Sequence, residues 1–220
     1  MPQVVIIRPG CTDFAEQNRI QGALDIPLNP RGLQQVEEVV SQLAECPLEV
    51  LYADPSEASR RTAEAIADEL GISVKLSEDL RNLDQGLWQG LQIDDVRHKY
   101  PKAYKQWQDS PETICPPEGE TVPEALERVR RVLRKPLKKR KVMGIVVAEP
   151  LATIIASIVR KERLEMPEPN CQCHAAPRLE FVESSGTIAE SLPEYLTPVG
   201  VSGDSAPVTE EARPHGKDSP

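Results

Sequence analysis

Histidine is scarce in this chain: His98, His174 and His215 are all there is, so imidazole chemistry carried by the first 97 residues is excluded. Aromatic residues make up only 4% of the 220 residues, so aliphatic and alanine packing must build whatever core the 39% apolar content supports. No apolar run approaches the roughly 20 residues that span a bilayer. The start, Met-Pro-Gln-Val, lacks the basic region and cleavage site of a signal peptide. A basic excess is missing too. The net charge of -9 argues against general nucleic-acid binding. The five cysteines (11, 46, 115, 171 and 173) are an odd set without framework spacing, which predicts reduced thiols and a cytoplasmic protein.

What is present begins at Val4-Val5-Ile6-Ile7-Arg8-Pro9-Gly10. Four apolar residues in a row suit a buried central strand, and Pro-Gly turns the chain away. Ligands of open α/β sheets bind at the carboxyl ends of such strands, which puts Arg8 at the expected pocket, facing an anion or pairing with a buried carboxylate. Asn29-Pro30 opens a helix over 30–45 with Leu33, Val36, Val39, Val40 and Leu43 at helical spacing. A strand over 48–52, a helix from Asp54-Pro55 to Leu70 and a strand over 73–76 follow. Residues 77–120 are less regular, with a helical stripe from Ile93 to Trp107 broken at Pro101. Thr121 caps a helix over 122–134, Val142–Ala148 is a second buried strand, Glu149-Pro150 leads into a helix to about Lys161, and 179–183 is a last strand. This alternation predicts a three-layer αβα sandwich with a mostly parallel sheet over 1–183. The Pro-, Ser- and Glu-containing stretch 184–220 is predicted to be a disordered tail.

The order of these elements, with several short motifs, resembles the histidine phosphatase superfamily, the phosphoglycerate-mutase-like fold. The resemblance covers about 1–183. It rests on Arg8-Pro9-Gly10, Arg19-Ile20-Gln21-Gly22, Leu24-Asp25-Ile26-Pro27-Leu28, Gly32-Leu33-Gln34-Gln35, Arg61-Thr62-Ala63-Glu64-Ala65-Ile66-Ala67, Leu80-Arg81, Gly86-Leu87-Trp88-Gln89-Gly90 and Pro117-Glu118-Gly119-Glu120-Thr121. The family's chemistry implies a phosphorylated histidine nucleophile, a cluster of positive groups, a second histidine and an acid. At the matching positions stand Pro9 for the nucleophile, Ala15 for an asparagine, Ala58 for the second arginine, Asn82 for the acid and Glu149 for the second histidine. Arg8 alone is retained. Arg60 and Arg61 share a helix with Ala58, but two residues along a helix turn a side chain by about 200°. An Arg8–Glu149 ion pair is expected to fill the pocket.

That substitution pattern predicts a catalytically inactive pseudophosphatase serving as a binding or regulatory module. Its rivals are a hydrolase of phosphorylated small molecules using Arg8, Glu149, Asp84 and Cys11, and a domain that binds an anion through Arg8 without turnover. Cys11, just past the first strand, is either a reactive thiol near Arg8 or a small packed residue. Cys171-Gln172-Cys173-His174 clusters soft ligands but lacks the separated pairs of zinc sites, so no metal and no cofactor are expected. Residues 128–141 carry nine basic side chains, among them Arg130, Arg131, Arg134, Lys138 and Lys139. They predict a docking patch for a protein partner, an anionic ligand or the chain's own tail, with no nucleic acid and no membrane.

Overall fold

The computed structural model describes residues 3–139, 141–162, 164 and 178–183. Five strands form one sheet: β1 (Gln3–Ile7), β2 (Val50–Ala53), β3 (Val74–Leu76), β4 (Met143–Val146) and β5 (Leu179–Glu183), in the order β3-β2-β4-β1-β5. All neighbours are parallel except β5, which runs antiparallel to β1 with Leu179 opposite Ile7. The expected α/β architecture is the one observed. Continuous apolar runs in β1 and β4 follow from central positions covered on both faces.

Alternate residues of β1 face opposite layers. Val5 and Ile7 pack with α2 (Pro30–Leu43) and α3 (Glu57–Leu70). Val4 and Ile6 pack with α6 (Val122–Lys138) and α7 (Leu151–Arg160). A third cluster joins Ile20 and Trp88 to α4 (Ile93–Lys99) and α5 (Pro101–Asp109), the predicted stripe being cut in two at Pro101. A short α1 (Asp13–Glu16) lies in the loop after β1.

Local signals account for most boundaries. Asn29 caps α2 by accepting from the Gly32 amide at 2.8 Å, and Gly71 ends α3 in the left-handed region at φ 64°. Leu33 departs from expectation: it is 46% exposed. The buried stripe of α2 runs through Gly32, Gln35, Val36, Val39 and Leu43 instead, because the Gln35 amide is needed inside to accept from the Cys11 backbone. The Thr121–Glu124 capping box opens α6 as predicted, but the helix continues beyond 134. Pro136 is accommodated there because it is buried beside Leu133 and Leu137, which extend the apolar face by one turn.

Candidate functional site at the carboxyl ends of the central strands

Parallel β1 and β4 end side by side, and the Val147 amide donates to the Ile7 carbonyl at 3.1 Å, which brings the segments after them together. Arg8 and Glu149 meet there. The Arg8 Nε donates to Glu149 Oε1 at 2.6 Å, and Nη2 donates to Glu180 Oε2 at 2.9 Å. The side chains are 12%, 9% and 16% exposed respectively, so water screens these pairs weakly. Burial works against the Arg8 charge, but the two carboxylates outweigh it and hold the guanidinium above its ordinary value.

Each carboxylate has further donors. Glu149 Oε2 accepts from the Thr153 amide at 3.2 Å and hydroxyl at 2.8 Å. Glu180 Oε1 takes Arg160 at 2.8 Å. The result is a neutral chain of two arginines and two glutamates running from α7 to the β1 end. Glu180 and Arg160 escaped the sequence argument. Strand alternation could have put Glu180 on one face of β5, but only the register Ile6 opposite Glu180 brings it beside Arg8.

The other matching positions serve structure. Pro9 is buried, and its carbonyl accepts from the Arg178 guanidinium. Ala58 is buried in α3, where its carbonyl accepts from Thr62 Oγ1 at 2.7 Å. The same hydroxyl accepts from the Gly10 amide at 3.3 Å. Asn82 is buried and fastens the segment after β4: Nδ2 donates to the Gly22 and Glu149 carbonyls at 3.0 and 2.8 Å, and Oδ1 accepts from Leu83 and Leu151 amides. Ala15 lies in α1. Arg60 turns outward to Glu64 at 3.0 Å. Asp84 accepts from the Gly86 amide at 2.8 Å, capping the turn at 86–88.

Cys11 requires a correction. It is disulfide-bonded, so neither a reactive thiol nor a fully reduced cysteine set describes this chain. Cys46 and Cys115 are free thiols. Cys171, Cys173 and His174 lie outside the described residues, as does the predicted tail 184–220. Among the described residues no group of three or more metal-type ligands forms, and no helix is long and apolar enough to cross a membrane. His98 is exposed on α4, its Nδ1 paired with the Asp94 carbonyl.

The basic patch on α6 divides. Arg131 pairs with Asp79 at 2.7 Å, and Arg128 is held by both Glu120 oxygens and the Asp79 carbonyl. Arg130 is half-buried, which pulls its pKa down. Arg134, Lys138 and Lys139 stay on the surface.

Two more polar groups lie near these strand ends, neither of them expected there from the sequence. Asp54 follows β2; burial raises its pKa, although Ser56 donates to it through its amide and hydroxyl. Arg178 precedes β5, and its carbonyl accepts from the Arg8 amide at 2.8 Å.

A comparison with known families decides the assignment: residues 4–190 match the histidine phosphatase superfamily (branch 1). The chain belongs to that superfamily. Phosphoserine phosphatase 1 of Hydrogenobacter thermophilus is 26% identical over 147 residues, 67% of this chain and 70% of that protein. A probable phosphoglycerate mutase GpmB of Erwinia tasmaniensis is 33% identical over 133 residues, 60% of this chain and 62% of the mutase, less than two thirds of its length. The solved mycobacterial glucosyl-3-phosphoglycerate phosphatase complexed with VO3 superposes with a TM-score of 0.69 at 21% identity, covering 78% of this chain and 85% of the other. That structural likeness speaks to the fold. The relatives' names overturn the expectation of an inert pseudophosphatase: they are phosphatases and a mutase, which points to phosphoryl chemistry on this superfamily fold.

Proposed function

We propose that this chain hydrolyses phosphate monoesters of small molecules at the carboxyl ends of β1 and β4. The observation that carries the proposal is superfamily membership together with relatives named for phosphoryl chemistry. Position 9 has no imidazole, so the displacement goes directly to water: a water oxygen bonds to phosphorus while the ester P–O bond breaks. Of the four side chains considered from the sequence, Cys11 is committed to a disulfide and Asp84 to its own turn. Arg8 and Glu149 remain. Glu149, oriented by Thr153, takes the water's proton and passes it to the leaving ester oxygen, which departs as the alcohol, and Arg8 offsets the charge gathered beside it.

The test is turnover of a generic aryl phosphate and of phosphoserine, with and without added divalent metal. Wild-type turnover that falls about a hundredfold or more in Arg8→Ala and in Glu149→Gln supports the proposal. No turnover under any condition, or turnover indifferent to both variants, overturns it.

A further inference from the structure

Between Glu127 and Glu149 the chain carries no carboxylate, while Lys135, Lys138, Lys139 and Lys141 gather at the carboxyl-terminal end of α6 and the turn into β4. Lys141 is already matched, its Nζ donating to Glu49 Oε2 at 3.1 Å. Lys135, Lys138 and Lys139 are exposed, and among the described residues none of the three has an ion-pair partner. Cations there complement the helix dipole, but that role leaves each ammonium group in water and open to a carboxylate.

Where the chain leaves the sheet decides which carboxylate is at hand. β5 runs antiparallel to β1, so Glu183 ends opposite Gln3, at the amino ends of the parallel strands. β4 starts at that same end, with Met143 opposite Val4, and α6 leads into it from Lys138. Val182 packs in the same apolar layer as α6. Two strand spacings, about 10 Å, separate Glu183 from Met143. Lys138 precedes Met143 by five residues, which bounds their separation at about 17 Å. Glu190 and Glu194, seven and eleven residues past Glu183, reach about 23 and about 36 Å along extended chain. The lysines fall inside that reach. The composition is complementary as well: residues 184–212 hold Glu190, Glu194, Asp204, Glu210 and Glu211 and no lysine or arginine.

We infer that the chain's own segment 184–196 docks through Glu190 and Glu194 on Lys135, Lys138 and Lys139 at the end of α6. One exposed ion pair contributes little by itself. Tethering, however, holds the carboxylates near the lysines at an effective concentration of about a millimolar, so a second pair adds to the first without a fresh encounter. The lysines lie at the opposite end of the strands from Arg8 and Glu149. Docking there neither closes the pocket nor depends on its chemistry.

Zero-length carbodiimide coupling of the full chain joins only ammonium and carboxylate groups in contact, and peptide mass mapping of the monomer reads the links. Amide links from Glu190 or Glu194 to Lys135, Lys138 or Lys139 are expected, falling about fivefold or more between about 20 mM and about 500 mM salt. Combining Lys135→Gln, Lys138→Gln and Lys139→Gln should abolish them, as should Glu190→Gln with Glu194→Gln. The three lysines are exposed, so neutralising them leaves the fold intact, which circular dichroism confirms. The Lys141–Glu49 contact is the internal standard. If that link forms while the three lysines stay unlinked, the patch serves some other anion and the docking is overturned. Links spread evenly to lysines on other faces, such as Lys75 and Lys102, overturn it too. Links confined to cross-linked dimers place a second copy's segment there and overturn docking within one chain.

Discussion

Arg8 and Glu149 are coupled through a 2.6 Å contact at about one-tenth exposure, and removing either partner leaves a charge that water reaches poorly. Glu149→Ala is therefore expected to cost about 2 kcal/mol of stability, less than for a fully sealed pair because Glu180 still serves Arg8. Urea denaturation checks it, and a neutral result would mean the pair contributes nothing to the fold. Asp54 behaves in the opposite sense. Its buried carboxyl has a raised pKa, so its contribution to stability is complete below the ordinary value of 3.8 and is lost as pH rises through the raised one. Asp54→Asn keeps an acceptor for the Ser56 amide while removing the charge. The variant should be more stable than wild type at pH 7, with the advantage disappearing in acid. Thermal unfolding across pH 3–8 measures it; a constant difference would remove Asp54 from the account.

Elements here are joined by close backbone approaches as well as by side chains. A Cβ on Gly32 would lie 2.1 Å from the Cys11 carbonyl oxygen, and one on Gly10 would lie 2.3 Å from the Gly32 carbonyl oxygen. The loop after β1 thus rests directly on the first turn of α2, the contact across which the Cys11 amide donates to Gln35 Oε1 at 2.9 Å. Because both atoms belong to backbone, Gly32→Ala has no flexible side chain to push aside. It should cost about 1–3 kcal/mol and loosen the site loop, seen as a lower urea midpoint and faster amide exchange at Cys11 and Thr12. Unchanged exchange would show that the loop is held some other way. The helices themselves were readable from Asn29, Thr121 and Gly71, since caps are local chemistry. Leu33 was misplaced because apolar spacing cannot anticipate that Gln35 is wanted inside.

At the scale of the whole molecule, one sheet separates two apolar layers, and Trp107 packs against both the α6–α7 layer and the smaller cluster around Trp88. A shared sheet and a bridging indole make cooperative unfolding the expected behaviour. Tryptophan fluorescence and far-ultraviolet circular dichroism should give coincident urea transitions. Separate midpoints would show that the Trp88 cluster melts on its own. The sheet also explains why the site was only half legible. Arg8 and Glu149 each follow a strand that announces itself by its apolar run, so the strand-end rule found them. Glu180 belongs to an edge strand with mixed composition, Arg178 stands just before that strand, and Asp54 looked like a helix opener.

Composition and pattern sufficed for the α/β sandwich, the superfamily and the meeting of Arg8 with Glu149, because strand runs, helix caps and a parallel sheet's carboxyl edge are consequences of local sequence. The tertiary structure decided which charges complete the site: the antiparallel pairing of β5 places Glu180 on Arg8 and Arg178 against Pro9 and Gln35. It also placed Cys11 in a disulfide. Register and long-range proximity depend on how whole layers pack, and no spacing within a single stretch of chain records them.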